Sequence, residues 1–214
     1  MKYSLVIERS TEVQSAAIIQ EDSAGVTVIA AKKFEATGFR GNGMWVGHLR
    51  DFVLRFVKNE NEIRRIIVGT GPGSFAGIRA ALAFAQGYAV GKDCEVAGLT
   101  SAAALAQGDS GVPFAVVGDA RQGKFWIALF DGFKLATKIF QVDKDTLHAS
   151  IPCSAKVVTP DSKRIDAVLK EIFEDRYIGG DIPVAERLAI AAIDNPQLLV
   201  NEPLPIYLNP AVRN

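Results

Sequence analysis

Residues 65–90, RIIVGTGPGSFAGIRAALAFAQGYAV, constrain the fold more than any other stretch of the chain. Ile66, Ile67 and Val68 form a short β-branched apolar run of the kind that makes a buried strand. Gly69, Thr70, Gly71, Pro72 and Gly73 then interrupt regular structure, because glycine reaches positive φ and proline fixes its own. Ser74 stands where a helix N-cap belongs, its hydroxyl ready to accept from a free backbone N–H. From 75 to 90 the pattern is helical and the side chains are small. The stretch therefore predicts strand, glycine turn and helix. Glycine within a helix costs about 1 kcal/mol relative to alanine, so Gly77 and Gly87 call for compensation. Close approach of another backbone supplies it, either from this protein's own sheet or from a second chain.

A chain of 214 residues accommodates one large domain or two small ones, and buries enough surface to need neither disulfide nor metal. Its 24 basic and 24 acidic side chains cancel, which argues against tight nucleic-acid binding by the chain alone. Cys94 and Cys153 lie far apart with no pairing motif, and are expected as small buried thiols kept reduced. The opening residues MKYSLVIE reach charge too early for a signal-peptide core. No apolar run approaches membrane-spanning length, so a cytoplasmic protein with no membrane partner is expected.

The chain opens with three predicted strands, at 5–7, 13–19 and 26–31, joined by short turns as an antiparallel meander. A glycine-rich loop spans 38–43. An amphipathic helix follows at 44–58, with Trp45, Leu49, Phe52, Val53 and Phe56 at helical spacing. The strand and helix of 65–90 lead into a strand at 94–97, and such a crossover joins parallel strands. A short alanine-rich helix is expected from Thr100 or Ser101 to about Gly108, and then a loop at 107–111. A second pass begins with a strand at 114–118, a turn at 119–123 and a returning strand at 124–130. Asp131-Gly132 signals a hairpin into a third strand at 133–142. Helices at 163–173 and 185–192 flank a short strand at 177–180, and the tail from Pro203 is too rich in proline for a helix. Element order thus repeats between the halves, which predicts a duplicated α/β fold with mixed sheets.

Familiar catalytic patterns fail at the residues that carry the chemistry. A phosphate-binding P-loop needs a lysine after its last glycine, and here Ser74-Phe75 follow Gly73. A dinucleotide site needs an acid at the end of the next strand, where Gly98 stands. An anion at the helix start remains open, beside a purely structural turn. His48 and His148, the only histidines, form no metal-binding motif, and Ser74 has no base tied to it. Asp119 and Arg121 either orient a ligand or brace their hairpin.

Three segments together resemble the TsaB (YeaZ) family. Residues 69–79, GTGPGSFAGIR, are similar to its G-x-G-P-G-S-F-T-G-x-R. Residues 119–126, DARQGKFW, are similar to D-A-R-x-G-E-x-Y, and 205–209, PIYLN, to P-x-Y-L-R. The resemblance implies two actin-like (ASKHA, ribonuclease H-like) lobes, each a mixed β-sheet with helices, at 1–106 and 107–214. It implies a non-catalytic scaffold pairing with TsaD, and with TsaE, in forming threonylcarbamoyladenosine at position 37 of tRNA. It also implies a homodimer when the partner is absent, and contact with tRNA only through the complex. No cofactor is expected in the isolated chain; ATP or ADP and metal belong to the partner subunits.

The pairing surface implied is that of the two first-lobe helices, with Trp45, His48, Leu49, Phe52, Ser74, Phe75, Gly77, Ala80, Ala81, Phe84 and Gly87 as contact residues. A separate expectation places nucleotide contact at Gly71, Gly73, Asp119 and Arg121. Where the family's first strand ends D-T-S/A, this chain has Glu8-Arg9-Ser10, and Lys124, Ala76 and Asn209 replace a glutamate, a threonine and an arginine. The first turn of actin-like ATPases approaches phosphate, so Arg9 weighs against ATP hydrolysis. The competing readings are an actin-like ATP-dependent kinase of small molecules, a peptidase, and a homodimer that no longer binds TsaD.

Overall fold

A computed structural model describes residues 2–34, 44–106, 112–132 and 134–208. The predicted loops at 38–43 and 107–111, the start of the third strand at Phe133, and Asn209 of the terminal motif lie outside the described residues. The chain forms two compact units, Met1–Ala104 with Pro183–Ile206, and Leu105–Ile182 with Tyr207–Asn214.

In the first unit β1 (Lys2–Glu8) runs antiparallel to β2 (Gln14–Asp22), which pairs antiparallel with the edge strand β3 (Gly25–Phe34). On its other side β1 is parallel to β4 (Ile63–Gly69), and β4 is parallel to β5 (Glu95–Leu99). The crossovers are α1 (Met44–Phe56) and α2 (Phe75–Ala89). Side chains alternate along a strand, and Leu5, Ile7, Ile18, Ile66 and Val68 point to the face covered by these helices. Trp45, Leu49 and Phe52 of α1 and Ile78, Leu82 and Ala85 of α2 complete that core. Each large apolar side chain so buried contributes about 1.5–3 kcal/mol.

The second unit repeats the scheme. β6 (Pro113–Arg121) pairs antiparallel with β7 (Lys124–Asp131), and β7 with two short strands, β8 (Lys134–Leu135) and β9 (Phe140–Asp143). β6 is also parallel to β10 (Lys156–Thr159), and β10 to β11 (Tyr177–Gly180). The helices are the four-residue α3 (Lys144–Leu147) and α4 (Ser162–Phe173), whose Ile165, Leu169 and Phe173 join the core. With β8 and β9, which both pair with β7, counted together as the third strand of the second unit, both sheets read third, second, first, fourth, fifth. This is the ribonuclease H-like order, and two such mixed α/β lobes make the actin-like fold.

Several expectations need correction. The turn at 119–123 shrinks to Gln122 and Gly123, whose φ of +55° and +75° suit a two-residue hairpin turn. The single third strand at 133–142 is two short strands. The alanine-rich helix after Thr100 is a single 3-10 turn, Ser101–Ala104. Cys94 is half-buried and Cys153 exposed, against the expectation of burial. The second lobe does not run unbroken from 107 to 214, because Pro183–Ile206 return to the first unit. There α5 (Ala185–Asp194) packs on β1, β2, β3 and β4, and its first amide donates to Ser15 Oγ at 2.9 Å. Ser15 shares its face with Ala17, opposite Ala16 and Ile18, so α5 covers the side of the sheet that α1 and α2 leave bare. A further short strand, Val200–Asn201, adds antiparallel to β5.

Candidate functional site

The glycine turn between β4 and α2 is closed by the chain's own backbone. Gly71 takes φ +89°, a conformation that suits glycine. Its N–H donates to Ser101 Oγ at 3.0 Å, and its carbonyl accepts from the Thr100 hydroxyl at 2.7 Å. The Ser74 N–H donates to the Ser10 carbonyl at 2.6 Å, and Ser74 Oγ caps α2 by accepting from the Gly77 N–H at 3.2 Å. A Cβ added at Gly73 would strike that Ser10 carbonyl, and one at Gly77 would strike the Arg9 carbonyl. Carbonyl oxygens thus stand where a phosphate would dock, and the N–H groups of Gly71, Ser74 and Gly77 are engaged. Glu8, fully buried beneath the turn, adds a carboxyl to the same place. These residues do not fit a nucleotide phosphate.

The predicted contact residues of the two helices divide by burial. Trp45, Leu49, Phe52 and Ala81 are buried and belong to the first unit's own core, because the wide apolar stripe of α1 and the inner row of α2 face the sheet. Phe84 is half-buried with its ring edge-on to Trp45, centroids 5.3 Å apart. Gly77 is half-buried, its lack of a side chain used by Arg9 as just described. His48, Ser74, Phe75 and Gly87 are exposed, and Ala80 is half-buried. Around Gly87 an added Cβ would meet nothing within 4 Å.

The outward row of α2 runs Ala76, Ala80, Ala83, Gly87 and ends at the cap residue Val90, which is 79% exposed. Arg79, lying over the Phe75 ring at 4.9 Å, is the helix's one charged residue. On α1, Met44, Val46, Leu54 and Phe56 are exposed as well. Ala76, Ala83, Val90 and these four are not among the contact residues that the family resemblance implies. Helical spacing from the buried positions was the signal that identifies them.

In the second unit, Asp119 accepts from the Arg121 N–H at 2.8 Å and pairs with the guanidinium groups of Arg121 at 3.4 Å and Arg164 at 3.2 Å. Its own N–H donates to Asp161 Oδ2 at 2.9 Å, and Asp161 pairs with Arg164. Two carboxylates and two guanidiniums brace the hairpin against the start of α4. Among the described residues no group of three His, Cys, Asp or Glu side chains is arranged to hold a metal ion. His48 lies on the exposed side of α1, and His148 stacks on Phe173 at 5.9 Å. No helix among the described residues is long and apolar enough to cross a membrane.

Comparison with known proteins matches one family model, TsaD: tRNA N6-adenosine threonylcarbamoyltransferase, over residues 47–167. Curated proteins give no match. Among solved structures, an uncharacterized Pseudomonas aeruginosa protein with similarity to peptidase YeaZ superposes with a TM-score of 0.75 at 20% identity, covering 98% of this chain and 100% of its own. YeaZ from Pseudomonas aeruginosa superposes with a TM-score of 0.72 at 20% identity, covering 97% and 100%.

Proposed function

Because the chain belongs to the TsaD (tRNA N6-adenosine threonylcarbamoyltransferase) family, we propose that it is an accessory subunit of YeaZ (TsaB) type. It works by holding a transferase partner, and the partner carries out the transfer to tRNA. The observation that carries this reading is the outward row of α2. A solvent-facing helical row normally carries several charges, whereas Ala76, Ala80, Ala83, Gly87 and Val90 present a shallow surface of small and apolar side chains with Arg79 as the one charge beside them. Small side chains let a second helix approach closely. Exposed Phe56 and Val46 of α1 and Phe75 of α2 provide apolar area on the same two helices.

Chemistry by this chain itself has little support. The glycine turn does not fit phosphate, and the described residues offer no metal-ligating cluster. Nucleotide and metal accordingly belong to the transferase and to an associated ATPase of the TsaE type. Gly71 and Gly73 are structural in this reading, and Asp119 and Arg121 brace a hairpin. A second copy of the chain occupies the α2 row when the transferase is absent.

Co-purification with the transferase of the same cell tests the proposal. Ala83→Arg and Gly87→Arg place a charged side chain in open space, so neither variant disturbs the monomer. Both are expected to weaken association at least about tenfold, since a charge in a dry interface costs several kcal/mol, and to lower tRNA modification in a reconstituted assay. Retention of full association by both variants would remove α2 as the docking helix.

A further inference from the structure

Glu8 is the only acidic side chain buried among the described residues, with 0% of its surface exposed. It ends β1, and its position joins two turns. Oε1 accepts from the Ser10 N–H at 2.5 Å, while Oε2 has no hydrogen-bond partner of good geometry. A Cβ at Gly69 would fall on Oε2 and close to Ser101 Oγ, so the missing side chain of Gly69 makes the carboxyl's place. The Ser10 that Glu8 holds by its amide in turn accepts from the Ser74 N–H through its carbonyl at 2.6 Å. Carboxyl, Ser10 and the first residues of α2 thus form a chain of two hydrogen bonds.

The neighbours acting on the carboxyl are Ser10, Ser101 and the backbone of Arg9; the Arg9 guanidinium lies over the Trp45 ring at 4.1 Å. The groups acting on the carboxyl are thus hydroxyls and backbone amides, which carry no net charge. We propose that Glu8 is a protonation latch on the start of α2. Uncharged, it keeps the 8–10 turn fastened beneath the Gly69–Ser74 turn. On losing its proton to water, the carboxylate leaves its dry site, releasing Ser10 and with it the Ser74 N–H. Burial raises the Glu8 pKa above its ordinary 4.5, and the hydrogen bonds from Ser10, Ser101 and Arg9 pull weakly the other way.

The sign follows from linkage. Well below pH 4.5 the carboxyl is protonated in the closed, open and unfolded states alike, and the latch contributes fully. As pH rises above that value the open and unfolded states ionise first, so the closed state loses stability until pH passes the raised pKa. The test uses the full chain. Carbon-13 labelling of glutamate side chains is expected to reveal one carboxyl titrating clearly above pH 4.5, absent from Glu8→Gln. The amide-exchange rates of Ser74 and Gly77, taken as the ratio of wild type to Glu8→Gln so that intrinsic pH effects cancel, are expected to rise with pH by up to about tenfold per unit. A Glu8 carboxyl that titrates in the ordinary range overturns the proposal, as does a flat exchange ratio. If Glu8→Gln does not fold, titration of Glu8 in the wild type decides alone.

Discussion

Gly77 and Gly87 occupy the same helix and have opposite surroundings. A methyl group at 77 would meet the Arg9 carbonyl, a backbone atom held by the turn at the end of β1, whereas at 87 it would meet nothing within 4 Å. Gly77→Ala is therefore expected to destabilise the chain by about 1–3 kcal/mol, the usual cost of forcing an extra carbon into packed structure, despite its better helix propensity. Gly87→Ala is expected to stabilise the isolated chain by about 1 kcal/mol from propensity alone. Urea unfolding of the two variants checks both signs. The sequence posed one question for both residues, namely what offsets a glycine in a helix. It could not separate the answers, because the group facing Gly77 comes from a turn 68 positions away. Burial of Glu8 was hidden for the same reason: an acid at the end of a strand reads as surface until the glycine that admits it is known.

At the scale of elements, α2 was the most legible part of the chain, since Ser74, the glycines before it and the small residues after it all agree locally. The helix is Phe75–Ala89 and Ser74 caps it. Ser74→Ala is expected to cost about 1 kcal/mol of stability and Ser74→Asp to retain most of it, measured as the shift in thermal midpoint at neutral pH. The faces of α1 and α2 were less legible. Trp45, Leu49 and Phe52 form an apolar stripe that suits a core and an interface equally, and only the sheet beneath them assigns it to the core. β10 was missed, because Lys156–Thr159 is a four-residue strand with no alternation to mark it. The third strand of the second unit reads as continuous because its residues are apolar enough, yet after Ala136, whose N–H still donates to the Leu129 carbonyl, the chain leaves the β7 edge until Phe140.

The duplication was legible only in part at the scale of the molecule: the opening hairpins are local signals and recur in both halves, but without β10 the second unit's parallel crossover was incomplete. The return of Pro183–Ile206 to the first unit was not legible. An amphipathic helix states that one side is buried but not which sheet buries it, and α5 finds its sheet some 170 positions back at Ser15. Val6, Ala17 and Ile67 are all buried on strands that α5 packs against. Alternation sets them away from α1 and α2, so residues 1–106 expressed alone would leave that apolar face in water. Such a fragment is expected to bind a hydrophobic dye and to unfold without a cooperative transition. Supplying 183–206 through a flexible linker from the fragment's C-terminus is expected to restore a single sharp transition, because the lost side chains Ala185, Leu188 and Ala189 are fully buried in the intact chain. Leu188→Asp in that fusion would abolish the rescue if burial of the α5 face is the cause. Cooperative unfolding of 1–106 alone, at the midpoint of the fusion, would mean that the first sheet is complete without its returning helix.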